Sequence, residues 1–545
     1  MKKFSIYLVA TLLCTSLSAI VWGSETIKMT SSSVASQEPE LPALNELPSA
    51  TLSSSPKVYV RKIQIEGNTV IQEKKLAHLT QAYEHREIYH QELEQLRQKL
   101  SKLYLDTGYI NSGVIIPDQK IQNGNITLQV VEGRLTRIEV SGVDKLNPGF
   151  VEERLASTED DILHLSNLEE KLQLLKRDIR IDSIATRLMP SERRGEATLF
   201  VNIREQTPYK VMLEANNHRS PSIGALRGEI SAEHQNVSGW GDEARIRFGL
   251  TEGLNDYSLS YSYPWRKGRH ETGVAFDRSD ANIVEAPFDD IDIESQTTNV
   301  SLQYRYWQIK RLQQSMMFAF HLDRKESKTY LANKPFSFSP GVDEGVSRVA
   351  VFRIIGEITK SSKSFYSAIR SSFNFGIDAL NATENTDLPD GKFVSWLGQL
   401  RLSQKVFTHQ LSFHADVQIA SEALLPLEKF SIGGHSSVRG YRENLLSHDS
   451  GWVVSLEYRV PIKLKFLKRS RGNLLAFYDH GRGYDKSGGN HDLDAINSAG
   501  IGMQWSPMKQ LYAELFGAYA LKNVSDNLDD IQDKGIHFKL RYQVY

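Results

Sequence analysis

The sequence predicts an exported protein in which two small α+β units precede an antiparallel barrel of sixteen membrane-crossing strands. Three observations lead to this prediction: an apolar stretch near the first residue, a repeat at an offset of 75 residues, and a long region that alternates polar and apolar residues. The chain has 545 residues, which is too long for one ordinary domain. Its formal net charge of −1 gives no argument for binding nucleic acid.

Residues 1–23 have the pattern of a secretory signal peptide, because two lysines precede an apolar run and small residues follow it. That run is too short to anchor the chain in a bilayer. Cleavage between Ala19 and Gly23 would remove Cys14, the single cysteine, and leave a mature chain without a thiol, as is common in a bacterial envelope. Residues 24–56 are rich in Ser, Pro and Glu without an apolar period, which predicts a flexible linker.

A repeat predicts two units, over residues 57–133 and 134–206. Each copy opens with a short alternating strand that ends in glycine, at Ile63–Gly67 and at Ile138–Gly142. Leucines at helical spacing follow, and alternating strands close each copy, which gives the order β-α-α-β-β. We interpret the leucines as domain core, so that a function would lie on the exposed strand edges. The stripes are Leu93, Leu96, Leu100 and Leu103 in the first copy and Leu168, Leu172, Leu175 and Ile179 in the second.

The region 207–545 has strand periodicity throughout, with about 21 residues per predicted strand and turn. An apolar, aromatic face alternates with a charged face, as where Leu456 and Tyr458 flank Glu457. Periodicity alone does not separate a soluble sandwich, whose apolar face forms the core, from a membrane barrel, whose apolar face contacts lipid. The number of strands and the clustering of aromatic residues near strand ends favour the barrel.

The most informative segment is a glycine- and serine-rich loop at about 421–450, between the eleventh and twelfth predicted strands. It carries Arg439, and a large cation inside a wall of strands suggests a plugged pore rather than a solvated turn. Arg439 keeps its proton, so a position in the lumen requires a carboxylate partner, for which Asp479 is the candidate. The predicted site residues are Gly433, Gly434, Val438, Arg439, Gly440 and Tyr441 in the loop, with Phe477, Asp479 and Gly481 in the partner motif.

These residues carry a family resemblance. The run Val438-Arg439-Gly440-Tyr441 resembles the Val-Arg-Gly-Tyr signature of the outer-membrane polypeptide-transport superfamily, and residues 477–481 resemble its Phe-x-Asp-x-Gly motif. The wider frame from Leu425 to Gly434 is similar to the two-partner secretion transporters, which export haemolysins and filamentous adhesins. The two repeats resemble POTRA domains, the periplasmic module of that superfamily.

The resemblance implies a signal peptide, two POTRA domains and a sixteen-stranded outer-membrane barrel with an in-folded plug loop, in which Arg439 pairs with Asp479. The implied function is export of a large exoprotein, such as a haemolysin, an adhesin or a contact-dependent toxin. The partner's N-terminal secretion domain would bind the POTRA domains in the periplasm. Outer-membrane lipid, the barrel-assembly machinery and periplasmic chaperones are further implied partners. Some relatives carry a pore-plugging helix where residues 24–56 lie, but no convincing amphipathic helix is present there.

Two other classes stay open as alternatives. A barrel-assembly insertase of the same superfamily would normally carry more than two POTRA repeats, and a passive porin would not need them. An enzyme is not expected, because the sequence has no nucleophile elbow, phosphate-binding loop or His-Glu-x-x-His motif. No cofactor and no metal site are expected, and His435 is interpreted as a solvated loop residue rather than a ligand.

Overall fold

The computed structural model describes residues 57–156, 161–386, 389–462, 471–486, 495–524 and 530–545. The predicted signal peptide (1–23) and linker (24–56) lie outside the described residues. Within these described ranges, we find no helix with the length and apolar character needed to cross a bilayer.

The first unit is a three-stranded sheet covered by two helices. Strand β5 is central, with β2 parallel to it on one side and β4 antiparallel on the other, and β1 and β3 form a separate two-stranded sheet. The predicted leucine stripe lies on α2, where Leu96 and Leu100 are fully buried. The elements are β1 (Val58–Val60), β2 (Lys62–Glu66), α1 (Glu73–Thr80), β3 (Arg86–Ile88), α2 (His90–Asp106), β4 (Gly113–Ile115) and β5 (Asn125–Val131).

The second unit repeats this arrangement with strand order β6-β8-β7, in which β6 is parallel and β7 antiparallel to the central strand. Leu168 and Leu175 are buried in its core. The prediction that Ile179 continues this stripe is wrong, because the helix ends at Lys176 and the Ile179 side chain is 47% exposed. The elements are β6 (Arg134–Ser141), α3 (Pro148–Leu155), α4 (Leu165–Lys176), β7 (Ile181–Pro190) and β8 (Glu196–Glu205).

The remaining strands close into an antiparallel barrel, which confirms the predicted sixteen-stranded fold. The last strand pairs with the first, and Leu540 lies opposite Ala215. The two-residue strand β16 (Lys334–Pro335) only extends the hairpin between β15 and β17. The wall strands are β9 (Tyr209–Asn216), β10 (Arg227–His234), β11 (Glu243–Leu250), β12 (Leu254–Trp265), β13 (His270–Asn282), β14 (Ile293–Lys310), β15 (Gln314–Leu331), β17 (Val346–Ser361), β18 (Phe365–Ile377), β19 (Phe393–Val406), β20 (His409–Ala420), β23 (Ser450–Ile462), β24 (Arg471–Tyr484), β25 (Ala495–Met508), β26 (Leu511–Ala520) and β27 (Ile536–Gln543).

The two faces of the barrel wall have opposite character. Apolar side chains point outward and are exposed, as for Leu456 (48%) and Leu540 (45%), whereas polar side chains point inward and are buried, as for Asn374 and His537. A soluble sandwich would show the reverse, with apolar side chains inside. The exposed apolar belt is therefore the surface expected to contact lipid, and the lumen is polar.

The second unit packs against short turns at one end of the barrel. The Asn236 side chain donates to the Lys145 carbonyl at 2.9 Å, and Arg180 Nε donates to the Gln235 carbonyl at 2.5 Å. Arg154 stacks its guanidinium 3.4 Å from the centre of the Phe150 ring, and burial lowers the pKa of Arg154 to about 10. The two hydrogen bonds to residues 235–236 fix the second unit at the end of the barrel where β9 begins.

Candidate functional site

The long loop between the eleventh and twelfth wall strands folds into the lumen. We call residues 421–449 the inner loop; it joins β20 to β23 and contains a small hairpin of β21 (Phe430–Ile432) and β22 (Leu446–His448). Because β9 starts next to the second unit and successive strands are antiparallel, β20 ends at the opposite end of the barrel. The inner loop therefore enters the lumen from the end away from the two units.

Arg439 in the inner loop contacts the wall through a dense set of hydrogen bonds. Its Nε donates to Asp479 Oδ2 at 2.7 Å and its Nη2 to Asp479 Oδ1 at 2.8 Å, which is a bidentate pair. Its Nη1 donates to Glu457 at 3.1 Å and its Nη2 also to the Ser455 hydroxyl at 3.1 Å. The structure thus brings together the arginine and the aspartate that the two sequence motifs singled out.

The surroundings of this pair exclude water from its carboxylate. Asp479 is fully buried, and it also accepts hydrogen bonds from the Arg439 backbone N–H at 3.1 Å and from the Ser455 hydroxyl at 2.5 Å. The Arg439 guanidinium lies 3.5 Å from the centre of the Phe477 ring and 5.2 Å from that of Phe516. Hydrogen bonds on the carboxylate and aromatic faces on the cation compensate the desolvation of both charges.

Two glycines of the predicted motifs allow this close approach. Gly440 has φ +89°, and a Cβ there would lie 2.8 Å from the Cβ of Ala518 on the wall. A Cβ on Gly481 would lie 2.5 Å from Cγ2 of Ile432, which belongs to the inner loop. Larger residues at either position would push the loop away from the wall. Gly433 and Gly434 are also buried, with φ +114° and +95°.

The residues on either side of Arg439 lie in an apolar cluster between the inner loop and the wall. Val438 is fully buried and Tyr441 is 3% exposed. The Tyr441 hydroxyl donates to the Asn497 carbonyl at 2.8 Å and accepts a hydrogen bond from the Lys522 N–H at 3.2 Å. The loop residues from Val438 to Tyr441 thus lie at the junction with the wall, whereas Gly433 and Gly434 pack against other residues of the inner loop.

A second contact, which the sequence patterns did not predict, holds the inner loop at a distant part of the barrel wall. Glu428 is buried and accepts hydrogen bonds from Arg353 on β17 at 2.8 and 3.0 Å, and it also pairs with Lys325 on β15 at 2.9 Å. Because β15 and β17 are far from β24 around the closed wall, a loop that contacts all three strands crosses the lumen.

A third contact joins the inner loop to two other loops of the barrel. Arg442 donates to Glu285 at 2.7 and 2.9 Å and to Asp533 at 2.6 and 2.8 Å. Glu285 belongs to the loop that follows β13 and Asp533 to the loop that follows β26. Period-2 alternation carries no information about which loops meet, so no sequence signal was available for this contact or for that of Glu428.

The prediction that His435 is solvated is wrong. Its imidazole stacks on that of His218, with ring centres 3.7 Å apart, and its Nε2 lies 3.1 Å from Glu514 on β26. The reason is that the inner loop folds inward, so a residue that reads as an exposed loop position faces the barrel wall instead.

Comparison with known proteins identifies the family. A family model described as haemolysin secretion/activation protein ShlB/FhaC/HecB matches residues 195–505, which is more than half of the chain. A model of the POTRA domain of ShlB type matches residues 58–133. The matches cover most of the barrel and the first unit.

Individual relatives agree with this result. The heme/hemopexin transporter protein HuxB of Haemophilus influenzae is 22% identical over 507 residues, which cover 87% of this chain and 86% of that protein. The outer membrane transporter CdiB of Dickeya dadantii is 21% identical over 451 residues, 78% of this chain and 77% of that protein.

The structure of CdiB from Escherichia coli shares the fold, with a TM-score of 0.68, 17% identity and coverage of 92% and 93% of the two chains. The family places the barrel in the outer membrane and the POTRA domain in the periplasm. The chain therefore belongs to the haemolysin secretion/activation protein family ShlB/FhaC/HecB, and it is an outer-membrane transporter for two-partner secretion of a large exoprotein.

Proposed function

We propose that the inner loop closes the lumen of this transporter at rest and must leave its position for the exoprotein to pass. The observation that supports this is the buried pair of Arg439 and Asp479, which fastens a lumen-crossing loop to the wall. Two further contacts of the loop, at Glu428 and Arg442, are also ion pairs, and such contacts can be exchanged for water and for polar groups of a passing chain.

The two units would recruit the exoprotein before it enters the barrel. We assign residues 134–206 as a second POTRA domain, because that unit has the same sheet order and strand directions as the first. In the first unit, a groove of about 560 Å³ lies between α2 and the edge strand β4, lined among others by Leu93, Arg97 and Ile115. An extended segment of the partner's N-terminal secretion domain would add to β4 as a further strand and place alternate side chains in this groove.

The same proposal assigns the remaining partners of the chain and the driving force of export. Outer-membrane lipid would contact the exposed apolar belt, and the barrel-assembly machinery and periplasmic chaperones would act only during biogenesis. We assign no enzymatic activity and no nucleic-acid partner to the chain. The sequence carries no nucleotide-binding motif. We infer that export is driven by folding of the exoprotein outside the cell, which prevents each emerged segment from sliding back.

The role of the Arg439–Asp479 pair in holding the inner loop in its working position is tested by Arg439→Ala. Removing one partner of a buried pair costs about 3–5 kcal/mol, since the other charge is left uncompensated. We expect loss of the exoprotein from the culture medium at an unchanged amount of heat-modifiable barrel in the outer membrane. Secretion at the wild-type level, with equal barrel abundance, would refute the assignment of this loop as the functional site.

The recruiting role is tested with the full chain in detergent, titrated by calorimetry with the partner's secretion domain. Strand addition of an unfolded segment should give about micromolar affinity, because ordering the segment costs entropy. Ile115→Lys should weaken binding about tenfold or more, whereas Ile179→Lys, at an exposed isoleucine of the second unit, should not. Equal affinities for the two variants would rule out the β4 groove.

A further inference from the structure

Three potential metal ligands from distant parts of the chain meet where the inner loop contacts the barrel wall. His218 lies in the loop after β9, His435 in the inner loop and Glu514 on β26. One ligand atom from each residue lies within 4.8 Å of the ligand atoms of the other two. His435 Nε2 is 3.1 Å from Glu514 Oε1, and the two imidazole rings stack at an angle of 29°.

Three polar atoms of this cluster, one on each residue, lack hydrogen-bond partners among the described residues. His218 Nε2 and His435 Nδ1 are buried, and neither has a partner within that part of the chain. Glu514 Oε1 has cationic neighbours at ion-pair distance but no hydrogen bond of good geometry. Folded proteins satisfy most buried polar atoms, so three orphaned atoms on the three residues of one cluster indicate a missing ligand.

We propose that His218, His435 and Glu514 bind a divalent transition-metal cation of the zinc class. Two imidazole nitrogens and one carboxylate form a donor set that zinc uses in proteins, with a further position open to water. Magnesium and calcium prefer oxygen ligands, so this nitrogen-rich set disfavours them. One ligand belongs to the inner loop, whereas the other two belong to the barrel.

The bound cation would act as a latch, because it ties the inner loop to the wall. This role rests on the proposed closing function of the loop, but the metal site itself does not. Release of the loop would require breaking the bond to His435, so the cation should hold the barrel closed. The site lies on the same side of the loop as Arg439, whose neighbour Gly440 donates its N–H to His537 Nε2 at 3.1 Å.

One cation of the protein competes with the metal for the same carboxylate. Lys539 Nζ lies 2.9 Å from Glu514 Oε1, and the Tyr512 hydroxyl donates to Glu514 Oε2 at 2.6 Å. A metal ion would have to displace the lysine ammonium from Oε1. Lys539→Met should therefore tighten metal binding, which is an effect that a merely structural histidine cluster would not produce.

The site is tested by titrating the full chain, purified without a histidine tag and stripped with a chelator, with Co²⁺ alone. Visible absorption reports ligand binding to Co²⁺, and calorimetry with Zn²⁺ gives the affinity. We expect one site per chain, at least tenfold weaker binding in His435→Ala and Glu514→Gln, and at least threefold tighter binding in Lys539→Met. His321→Ala is the matched control, because His321 also has a buried, unpartnered Nε2 but lies on β15.

Heat modifiability of each variant on a gel verifies that its barrel is folded. Equal Zn²⁺ affinity of folded wild-type and His435→Ala protein overturns the metal site. The latch is tested separately in planar bilayers, where Zn²⁺ should lower the frequency of conductance openings in the wild type and not in His435→Ala. Binding of Zn²⁺ without any change in wild-type openings overturns the latch while leaving the site, and the closing role of the loop, intact.

Discussion

The inner loop is fastened to two distant parts of the barrel wall by ion pairs of opposite polarity. At the first anchor the loop supplies the cation, Arg439, and the wall supplies the carboxylate of Asp479. At the second anchor the loop supplies the carboxylate of Glu428, and the wall supplies Arg353 and Lys325. A segment that carried the same sign at both ends would be attracted to one wall and repelled by the other, so the reversal fixes its orientation.

The two anchors differ in which partners the wall residues keep when the loop leaves. At the first anchor Asp479 is fully buried and receives the loop's side chain and backbone N–H together. At the second anchor the wall cation has another partner, since Arg353 Nε also donates to Asp323 on β15 at 2.6 Å. The wall at the second anchor therefore stays partly neutralised when the loop leaves, whereas the first anchor leaves a buried carboxylate behind. We expect the first anchor to control release of the loop.

The largest effect is expected at the first anchor, from Asp479→Ala. Loss of the carboxylate leaves Arg439 buried with Glu457 as its remaining acidic partner, at a cost of about 3–5 kcal/mol. The loop should leave the wall, and trypsin added from outside should cut within residues 421–449 much faster than in the wild type. Mass spectrometry of the fragments locates the cuts.

Asp416→Ala is the matched control for that variant. Asp416 forms a bidentate pair with Arg401 on the neighbouring strand, at 2.6 and 3.1 Å, so it is a carboxylate in a pair between two wall strands. Its loss should not increase cleavage of the inner loop. If both variants are cut at the same rate, loss of any wall carboxylate loosens the barrel and the first anchor has no special role.

A smaller effect is expected at the second anchor, from Glu428→Ala. Arg353 keeps Asp323, so the cost should be that of a lost charged hydrogen bond, about 1–3 kcal/mol. Cleavage of the inner loop should rise less than in Asp479→Ala, and export should fall without being abolished.

The control for the second anchor is Glu326→Ala. Glu326 pairs with Arg324, Lys328 and Arg348 on the wall, so this substitution removes a carboxylate with several cations close to the second anchor. This substitution should leave the inner loop protected from trypsin, as in the wild type. A larger effect on cleavage from Glu428→Ala than from Asp479→Ala would reverse the ranking of the two anchors.

The first anchor could be predicted from the sequence, and the second could not. Arg439 and Asp479 belong to two local motifs, each readable in a few consecutive residues, and the resemblance of these motifs paired them. Glu428 and Arg353 are 75 residues apart in the chain, and alternation shows only that Arg353 lies on the polar face. Contacts of this kind depend on the path of the inner loop across the lumen, which local sequence does not determine.

The fold was predictable to a greater extent because its signal is periodic. Strand number, the lipid-facing residues and the α+β order of the first unit all follow from spacings that recur along the chain. Local sequence patterns gave the wrong environment for one loop residue, His435. His435 was misplaced because a loop residue that folds inward has the same sequence appearance as one in solvent, and its neighbour His218 lies more than 200 residues earlier.

The central claim, that the inner loop must move for export, is tested most directly by locking it to the wall. Val438 in the loop and Val453 on β23 both pack on Gly481, with Cγ2 atoms 3.0 and 3.2 Å from where a Cβ on Gly481 would lie. The chain's single cysteine is Cys14, within the predicted signal peptide, so Val438→Cys with Val453→Cys introduces the two thiols to be joined by a short reducible cross-linker. Cross-linking should stop export and a reductant should restore it, whereas each single-cysteine variant should export normally. Export at the wild-type rate through the cross-linked barrel would show that the inner loop does not need to move.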